Sequence, residues 1–415
     1  MSVIMVDCCS TPGLLTFEQA MAEMLAVIKP VTETEDVVLA QALGRVLAKN
    51  VISPVNVPPH DNSAMDGYAF AFESLKGQDS LLLAGRSMAG DPFQGECLSG
   101  QCIRIMTGAK MPIGCDTVEM QENCDAKDNN VRFLAPRKIG DNVRNAGEDI
   151  AKGHDVFDQG RVISAIDLGI LASLGIAKVE VMRQLTVALI STGDELKPPG
   201  SSLSEGDIYE SNSFALAGIL EKMNIKVINF GVIADDQQLI TTAFEQADQQ
   251  ADAVISSGGV SVGDADYTKM VLEQLGDISF WKIAMKPGKP FAFGQLPNSV
   301  FFGLPGNPVS AMVTAHVLAI PALLKMQNCK NKETVTLKVK TKTQLKKSPG
   351  RMDFQRGVLS ADDQGNMIVQ STGSQGSGIL TSLATANCYI ILPSSQGTVE
   401  AGEWVKVQLF DHYIA

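Results

Sequence analysis

Asp252-Ala-Val-Ile-Ser-Ser-Gly-Gly-Val-Ser-Val-Gly-Asp-Ala-Asp266 is the stretch on which the reading of this chain turns. Its opening has the length and β-branched content of a strand, and it then breaks into a glycine-rich turn. A strand feeding such a turn and then a helix leaves backbone N–H groups pointing outward. With no Cβ at Gly258 or Gly259, an anion can approach them closely. The following helix is expected to run through Met270, Val271 and Leu275. The plan then repeats: Ser299-Val-Phe-Phe302 reads as a strand, Gly303-Leu-Pro-Gly-Asn307 as its loop, and Pro308 as the first helical residue with Asn307 as cap. Between the two units lie Lys282, Lys286 and Lys289. Anion-ready turns, lysines and the nearby Asp264 and Asp266 together suggest a phosphate or oxyanion site worked by a metal. Each part also has a plain structural account: the turns as topology, Asp264 or Asp266 as a helix cap, the lysines as a solvated face. Position at the carboxyl ends of strands, where open α/β sheets bind ligands, favours the functional account.

Working outward, Leu185–Ile190 precedes Ser-Thr-Gly-Asp-Glu195, and Lys226–Phe230 precedes Gly-Val-Ile-Ala-Asp-Asp236. Strands alternating with amphipathic helices predict a doubly wound parallel sheet with right-handed crossovers. Its strand ends deliver Asp194 and Glu195, Asp235 and Asp236, and Asp264 and Asp266 to one rim. Asp235, followed by Gln238, also fits a helix cap. Toward the N-terminus, Thr16-Phe-Glu-Gln19 reads as a capping box, and a second helix is expected over residues 35–48, burying Val38, Leu39, Ala42, Leu43, Val46 and Leu47. Residues 54–152 change texture to short β runs (80–83, 102–106, 131–134) between Gly, Asp and Asn turns, as in a β-rich inserted domain. Three polar stretches stand out there: 61–68, 104–108 and 144–149. Ser164 and Asp167 start a helix that Gly175 ends. Past residue 330 the alternation of Val335, Leu337 and Val339 announces a small antiparallel β domain. It carries the anion-friendly loops Ser348-Pro-Gly-Arg351 and Gly373-Ser-Gln-Gly-Ser377.

The chain has 415 residues, enough for two to four domains, and a net charge of -12. That acidity argues against nucleic acid as main partner, since phosphate backbones select excess Lys and Arg. An acidic protein that binds a polyanion calls for an intervening cation, and Mg²⁺ is the expected one. The eight cysteines show no C-x-x-C pair and no zinc spacing with the four histidines. No signal peptide and no run of about 18 apolar residues is evident, so a soluble cytoplasmic protein without a membrane span is expected.

Several motifs taken together are more specific than any one. Pro59-His-Asp-Asn-Ser-Ala-Met-Asp-Gly-Tyr-Ala69, Ile105-Met-Thr-Gly-Ala109, Gly147-Glu-Asp149, Ser191-Thr-Gly-Asp-Glu195, Ser256-Ser-Gly-Gly-Val-Ser261, Lys286-Pro-Gly-Lys-Pro290 and Gly303-Leu-Pro-Gly-Asn-Pro308 resemble molybdopterin molybdenumtransferases across essentially the whole chain. The resemblance implies four domains: a molybdenum-cofactor-type α/β domain (14–33 and 184–330), a linking and dimerisation domain (34–53 and 153–183), the β-rich insertion (54–152) and a C-terminal β-barrel (331–415). It implies a homodimer that takes adenylylated molybdopterin and molybdate, cleaves the phosphoanhydride with a divalent metal, and releases AMP and molybdenum cofactor. By motif match Asp66, Thr107, Glu195, Asp235 and Asp266 are the catalytic polar residues, with Asp66, Glu195 and Asp266 on the metal in a cleft between domains. Arg144, Asp149, Gly258, Gly259, Ser261, Lys282, Lys286, Lys289, Pro305, Asn307, Pro308, Arg351 and Ser377 are the substrate and anion contacts. Other cofactor-biosynthesis proteins are further candidate partners. The chain departs from the family at His60, where an aromatic is usual, at Glu210, where Asp is usual, and at Asn145 and Ala146, where some relatives carry arginine. A molybdopterin adenylyltransferase shares the α/β sheet but needs neither the insertion nor the barrel. The clustering protein gephyrin is similar over this region, which leaves a dimeric scaffold as the non-enzymatic alternative.

Overall fold

Alternate residues of one strand pack into two different cores. Val187 and Leu189 join one apolar cluster, while Ala188 and Ile190 join another. The same division holds for Ala253 and Ile255 against Val254, and for Phe302 and Leu304 against Phe301. Side chains on successive strand residues point to opposite faces, so an unbroken apolar run marks a sheet covered on both sides. The computed structural model describes residues 14–259, 267–330 and 334–414. These divide into two compact units, one of Met1–Glu35, Gly44–Val46 and Val181–Ala415, the other of Asp36–Leu43 and Leu47–Glu180.

In the first unit the sheet runs in the order Lys226–Ile233, Thr186–Thr192, Ala253–Ser257, Val300–Leu304, Pro290–Gln295, Asp277–Lys282. The first four strands are parallel; the Pro290 strand is antiparallel to both of its neighbours. The wholly parallel expectation therefore fails at one edge. Pro290–Gln295 and Val300–Leu304 are joined by a short hairpin, and a tight turn can only connect antiparallel strands. Asp248 holds that turn by accepting from the Asn298 N–H (3.0 Å), the Asn298 amide (2.8 Å) and the Ser299 hydroxyl (2.7 Å). Helix Phe17–Val27 begins with the expected capping box at Thr16 and Gln19.

The apolar stretch Pro308–Met326 forms 19 residues of continuous helix, long and apolar enough to cross a membrane, but 83% of the tested window is buried inside the protein. It starts at Pro308 as expected, but the expectation that no run of about 18 apolar residues exists fails here: the run is a buried core helix. The C-terminal strands close into a barrel: Met352–Ala361 pairs with Met367–Ser371 on one side and with Cys388–Leu392 on the other. One pairing, Lys340 with Ile368, is parallel, so the barrel is not purely antiparallel.

The second unit holds a sheet in the order Thr117–Met120, Gly67–Phe70, Gln101–Ile105, Ser80–Ser87, Asn130–Phe133, Cys124–Lys127. The helix expected over residues 35–48 is absent. Thr34–Val38 is a strand followed by a single 3₁₀ turn, Leu39–Gln41, and Val38 and Leu43 are exposed. The paired β-branched Val37 and Val38 favour extended backbone, and the Leu39 N–H donates to the Ala177 carbonyl instead of to a helical turn. Gly44, at φ +74°, then breaks what periodicity remains.

Helix Ala165–Ser173 is capped as expected. Ser164 and Asp167 bond reciprocally, Gly175 follows at φ +72°, and Arg161 forks onto the Asp167 carboxylate at 2.9 and 2.8 Å. Burial pushes this carboxyl up, but the bonds from Arg161 and Ser164 outweigh it and hold it below the usual carboxylate range. A lowered folded-state value means that the stabilisation is complete above the unfolded value, about pH 4, and fades as pH falls through the folded one. Asp167→Asn is therefore expected to cost about 1–3 kcal/mol at neutral pH. The loss should shrink toward pH 2, as read from denaturant midpoints across pH.

Candidate active site

The carboxyl ends of the Thr186, Ala253 and Val300 strands surround a cavity of about 700 Å³. It is lined by the turn Ser257-Gly258-Gly259, by Thr192, Gly193 and Glu195, by Tyr209–Asn212 and by Pro305–Pro308. Gly258 and Gly259 have φ of +93° and +64°. A Cβ on Gly258 would lie 2.5 Å from the Thr192 carbonyl oxygen, and one on Gly259 would lie 2.3 Å from Thr268 Oγ1 and 2.7 Å from Thr192 Oγ1. Both the backbone conformation and the space thus require glycine.

Two helices start at this cavity, Asn212–Lys222 and the one headed by Pro308. Their dipoles favour an anion, although the Ser213 N–H is already bonded to Glu210 and the Val309 N–H to the Ser377 carbonyl. Asn307 occupies the cap position of the second, but its side chain makes no capping bond. The Asn212 amide donates to the Gly306 carbonyl at 2.9 Å, while its Oδ1 and the Thr192 Oγ1 are buried without a partner among the described residues. Buried polar atoms are normally bonded, so two orphans on one cavity wall are the mark of a ligand site. Thr192 was missed in the sequence. Its only signal was its place at the strand end, one residue before Gly193.

The carboxylates divide sharply by task. Asp236, not Asp235, caps helix Gln237–Gln250, accepting from Gln238 and Leu239 N–H groups at 2.9 and 3.0 Å. Asp235 is thereby left to line the cavity. Loss of hydration, then Asp194, then Glu195 push its carboxyl above the usual range. Asp194 Oδ1 also accepts the Asp235 N–H at 3.1 Å. Gly193, at φ +141°, lets the Glu195 carboxylate fold back to within 2.6 Å of where a Cβ would sit. Glu210, the departure from the family pattern, is buried and serves the start of the Asn212 helix, taking the Ser213 N–H at 2.7 Å and the Ser213 and Ser191 hydroxyls. Asp264, Asp266 and Ser261 lie outside the described residues.

The lysines stand apart from the cavity lining. Lys286 Nζ is 3.8 Å from Asp353, Lys282 is across the ladder from the lining residue Pro290, and Lys289 directly precedes it. Arg351 is exposed in its turn, and the Ser377 carbonyl accepts the Val309 N–H at 3.0 Å, beside the start of the Pro308 helix.

Within the second unit the three polar stretches converge. Asp66 accepts from Thr107 N–H (2.7 Å) and Oγ1 (2.9 Å), bonds that pull its carboxyl below the usual range. The Gly108 N–H donates to the Ser63 carbonyl, Arg144 pairs with Asn62, and Asp61 takes the Ala146 N–H at 2.8 Å. The Asp149 N–H is bound to the Val57 carbonyl. A strand-and-turn account of these stretches would not require the exposed Asp66 and Thr107 side chains to be locked together.

Residues 15–175 match the family model of the MoeA N-terminal region (domains I and II), 188–325 a probable molybdopterin binding domain, and 338–410 the MoeA C-terminal region (domain IV). The molybdopterin molybdenumtransferase of Haemophilus influenzae is 46% identical over 403 residues, 97% of this chain and 100% of that protein. The chain belongs to the molybdopterin molybdenumtransferase family. As a molybdenumtransferase it is an enzyme of molybdenum cofactor biosynthesis. A molybdopterin molybdenumtransferase from a Nostoc species is 35% identical, covering 90% of this chain and 88% of that one. The molybdopterin biosynthesis moeA protein of Pyrococcus horikoshii superposes with a TM-score of 0.82 at 30% identity, covering 96% of this chain and all of the other.

The close fit of the glycine turn yields a differential expectation for this transferase. Gly259→Ala should lower cofactor formation by about 100-fold, because displacing a ligand cradle by an ångström is enough to do so. Gly306→Ala, whose Cβ would meet only Gly258 Cα at 3.8 Å, should leave the thermal midpoint unchanged. Cofactor-formation assays and thermal melts of the two variants check both halves.

Proposed function

We propose that the enzyme inserts molybdenum from molybdate into adenylylated molybdopterin, releasing AMP and molybdenum cofactor. The observation that carries this reading is the paired character of the cavity. Its lining offers the Gly258-Gly259 turn, the starts of two helices and the orphaned Thr192 and Asn212 atoms, which suit a phosphorylated ligand. The same lining offers Glu195 and Asp235, which suit a cation. The β-rich insertion and the C-terminal barrel, which a single-sheet adenylyltransferase does not need, favour insertion over adenylylation.

Glu195 and Asp235 would hold a divalent cation, for which Mg²⁺ is proposed. Crowding by Asp194 and Glu195 raises the proton affinity of Asp235, and a bound cation relieves that kind of repulsion. No group of three ligating side chains is preformed among the described residues. Mg²⁺ fits this, because it characteristically takes one or two protein carboxylates and completes its shell with substrate phosphates and water. When bound, it would neutralise the pyrophosphate during cleavage.

On the protein side, Thr192 and Asn212 orient the ligand and the glycine turn admits its phosphate oxygens. Asp66, locked by Thr107, is proposed as a further catalytic residue of this enzyme. The dimeric state is supported by the exposed Val38, Leu43, Ile52, Val162 and Ile166 in the linking segments. Free thiols such as Cys97 and Cys102 support a cytoplasmic, reducing setting.

Purified enzyme given Mg²⁺, molybdate and adenylylated molybdopterin is expected to release AMP. Glu195→Gln and Asp66→Asn should each lower turnover by at least about 100-fold, with stability changed by no more than about 1 kcal/mol. Unchanged AMP release in both variants would refute the assignment.

A further inference from the structure

The outer face of the C-terminal barrel carries an arrangement that folding alone disfavours. Strands Thr336–Thr341 and Trp404–Leu409 pair antiparallel, placing Lys338 directly across from Lys406 and Lys340 directly across from Trp404. Val339, Val405 and Val407 are buried in the barrel core, so the alternating lysines and Trp404 face outward. Like charges directly opposite on a ladder are destabilising. Among the described residues none of these three ammonium groups forms an ion pair. Trp404 is 57% exposed, and two ammoniums approach its ring, Lys338 Nζ at 5.9 Å and Lys340 Nζ at 5.6 Å from the centroid. Beside them opens a groove of about 340 Å³ whose lining includes Leu337, Leu392, Pro393 and Trp404 along with Lys338 and Lys406.

We infer that this strip is a docking surface for an acidic polypeptide segment of another protein, one that inserts an apolar side chain beside Trp404 and sets Asp or Glu carboxylates on Lys338, Lys340 and Lys406. Charge complementarity selects the partner. In a chain of net charge -12, Lys338 and Lys340 beside the exposed indole, with Lys406 across from Lys338 and none of the three in an ion pair among the described residues, offer a positive patch that steers an acidic segment and aligns it. An exposed aromatic ringed by polar groups is the usual make-up of an interface anchor. A nucleic acid fits less well, because three cations neutralise few phosphates and the net charge repels the remainder. The surface is additional to the transfer reaction and uses none of its residues.

The test uses the full chain and, as probe, a fluorescein-labelled peptide of Asp and Glu around a central Leu-Phe pair, followed by fluorescence anisotropy. Saturable binding at low salt that is lost at high salt is expected. Trp404→Ala and Lys406→Glu should each weaken it by about tenfold or more, with Lys226→Glu as an unaffected control. Lys338→Glu separates function from structure: it should weaken peptide binding while raising the thermal midpoint, since a repulsive cross-strand pair becomes an attractive one. Absence of binding, or equal weakening by Lys226→Glu, overturns the inference. It is also overturned if a single-stranded oligonucleotide binds more tightly than the peptide through the same lysines. Concentration-dependent self-association abolished by Trp404→Ala would reassign the face to contacts between copies of this chain, and so would also overturn it.

Discussion

The close approach of Gly258 and Gly259 to the end of the Thr186 strand governs the candidate active site. The turn rests on the Thr192 carbonyl and on the Thr192 and Thr268 hydroxyls with no space for a methyl group. The Gly258 N–H bonds to the Leu304 carbonyl, and Thr192 Oγ1 is buried without a partner among the described residues. The close approach also leaves the adjoining space empty of side chains, which makes it a cavity instead of core. A buried orphan is costly, and structures keep one where a ligand repays it.

Around that contact the acidic residues sort by whether the fold already uses them. Asp236 caps a helix, Glu210 anchors the start of another, Asp248 ties a hairpin, and Asp252 accepts both guanidinium arms of Arg183 at 2.9 Å together with the Thr186 N–H. Asp194, Glu195 and Asp235 remain, close enough that the first two raise the proton affinity of the third. Carboxylates engaged in structure hold their charge quietly, whereas crowded ones at a rim store repulsion that a cation or a proton discharges. The same logic separates Asp66, whose charge is satisfied by Thr107, from its more crowded counterparts. It also makes the lysine strip on the barrel notable, since there the charge without an ion pair among the described residues is positive, with Lys338 directly across from Lys406.

Much of this was legible in the residues. The capping box at Thr16, the helix start at Ser164 and Asp167, the strand at Ala253–Ser257 and the turn at Gly258-Gly259 all rest on local rules, and the coordinates agree with each. The stretch at 35–48 was misread because its apolar spacing suits a helix, while Val37, Val38 and Gly44 impose extended backbone and a break. Asp235 and Asp236 could not be told apart either, since both precede the same helix and only the hydrogen bonds from Gln238 and Leu239 assign the cap.

Local spacing and residue chemistry were thus enough to establish an α/β sheet with a β-rich insertion and a β domain at the end, and to point to the strand ends where a cavity lies. Tertiary structure alone decided the antiparallel edge of the sheet, the closure of the barrel, the orphaned Thr192 and Asn212 atoms, and the pairing of Lys338 with Lys406. The reason is physical. Propensity and capping act over a few residues along the chain, whereas burial, orphaned polar atoms and cross-strand repulsion are properties of neighbours that the sequence separates by tens of residues.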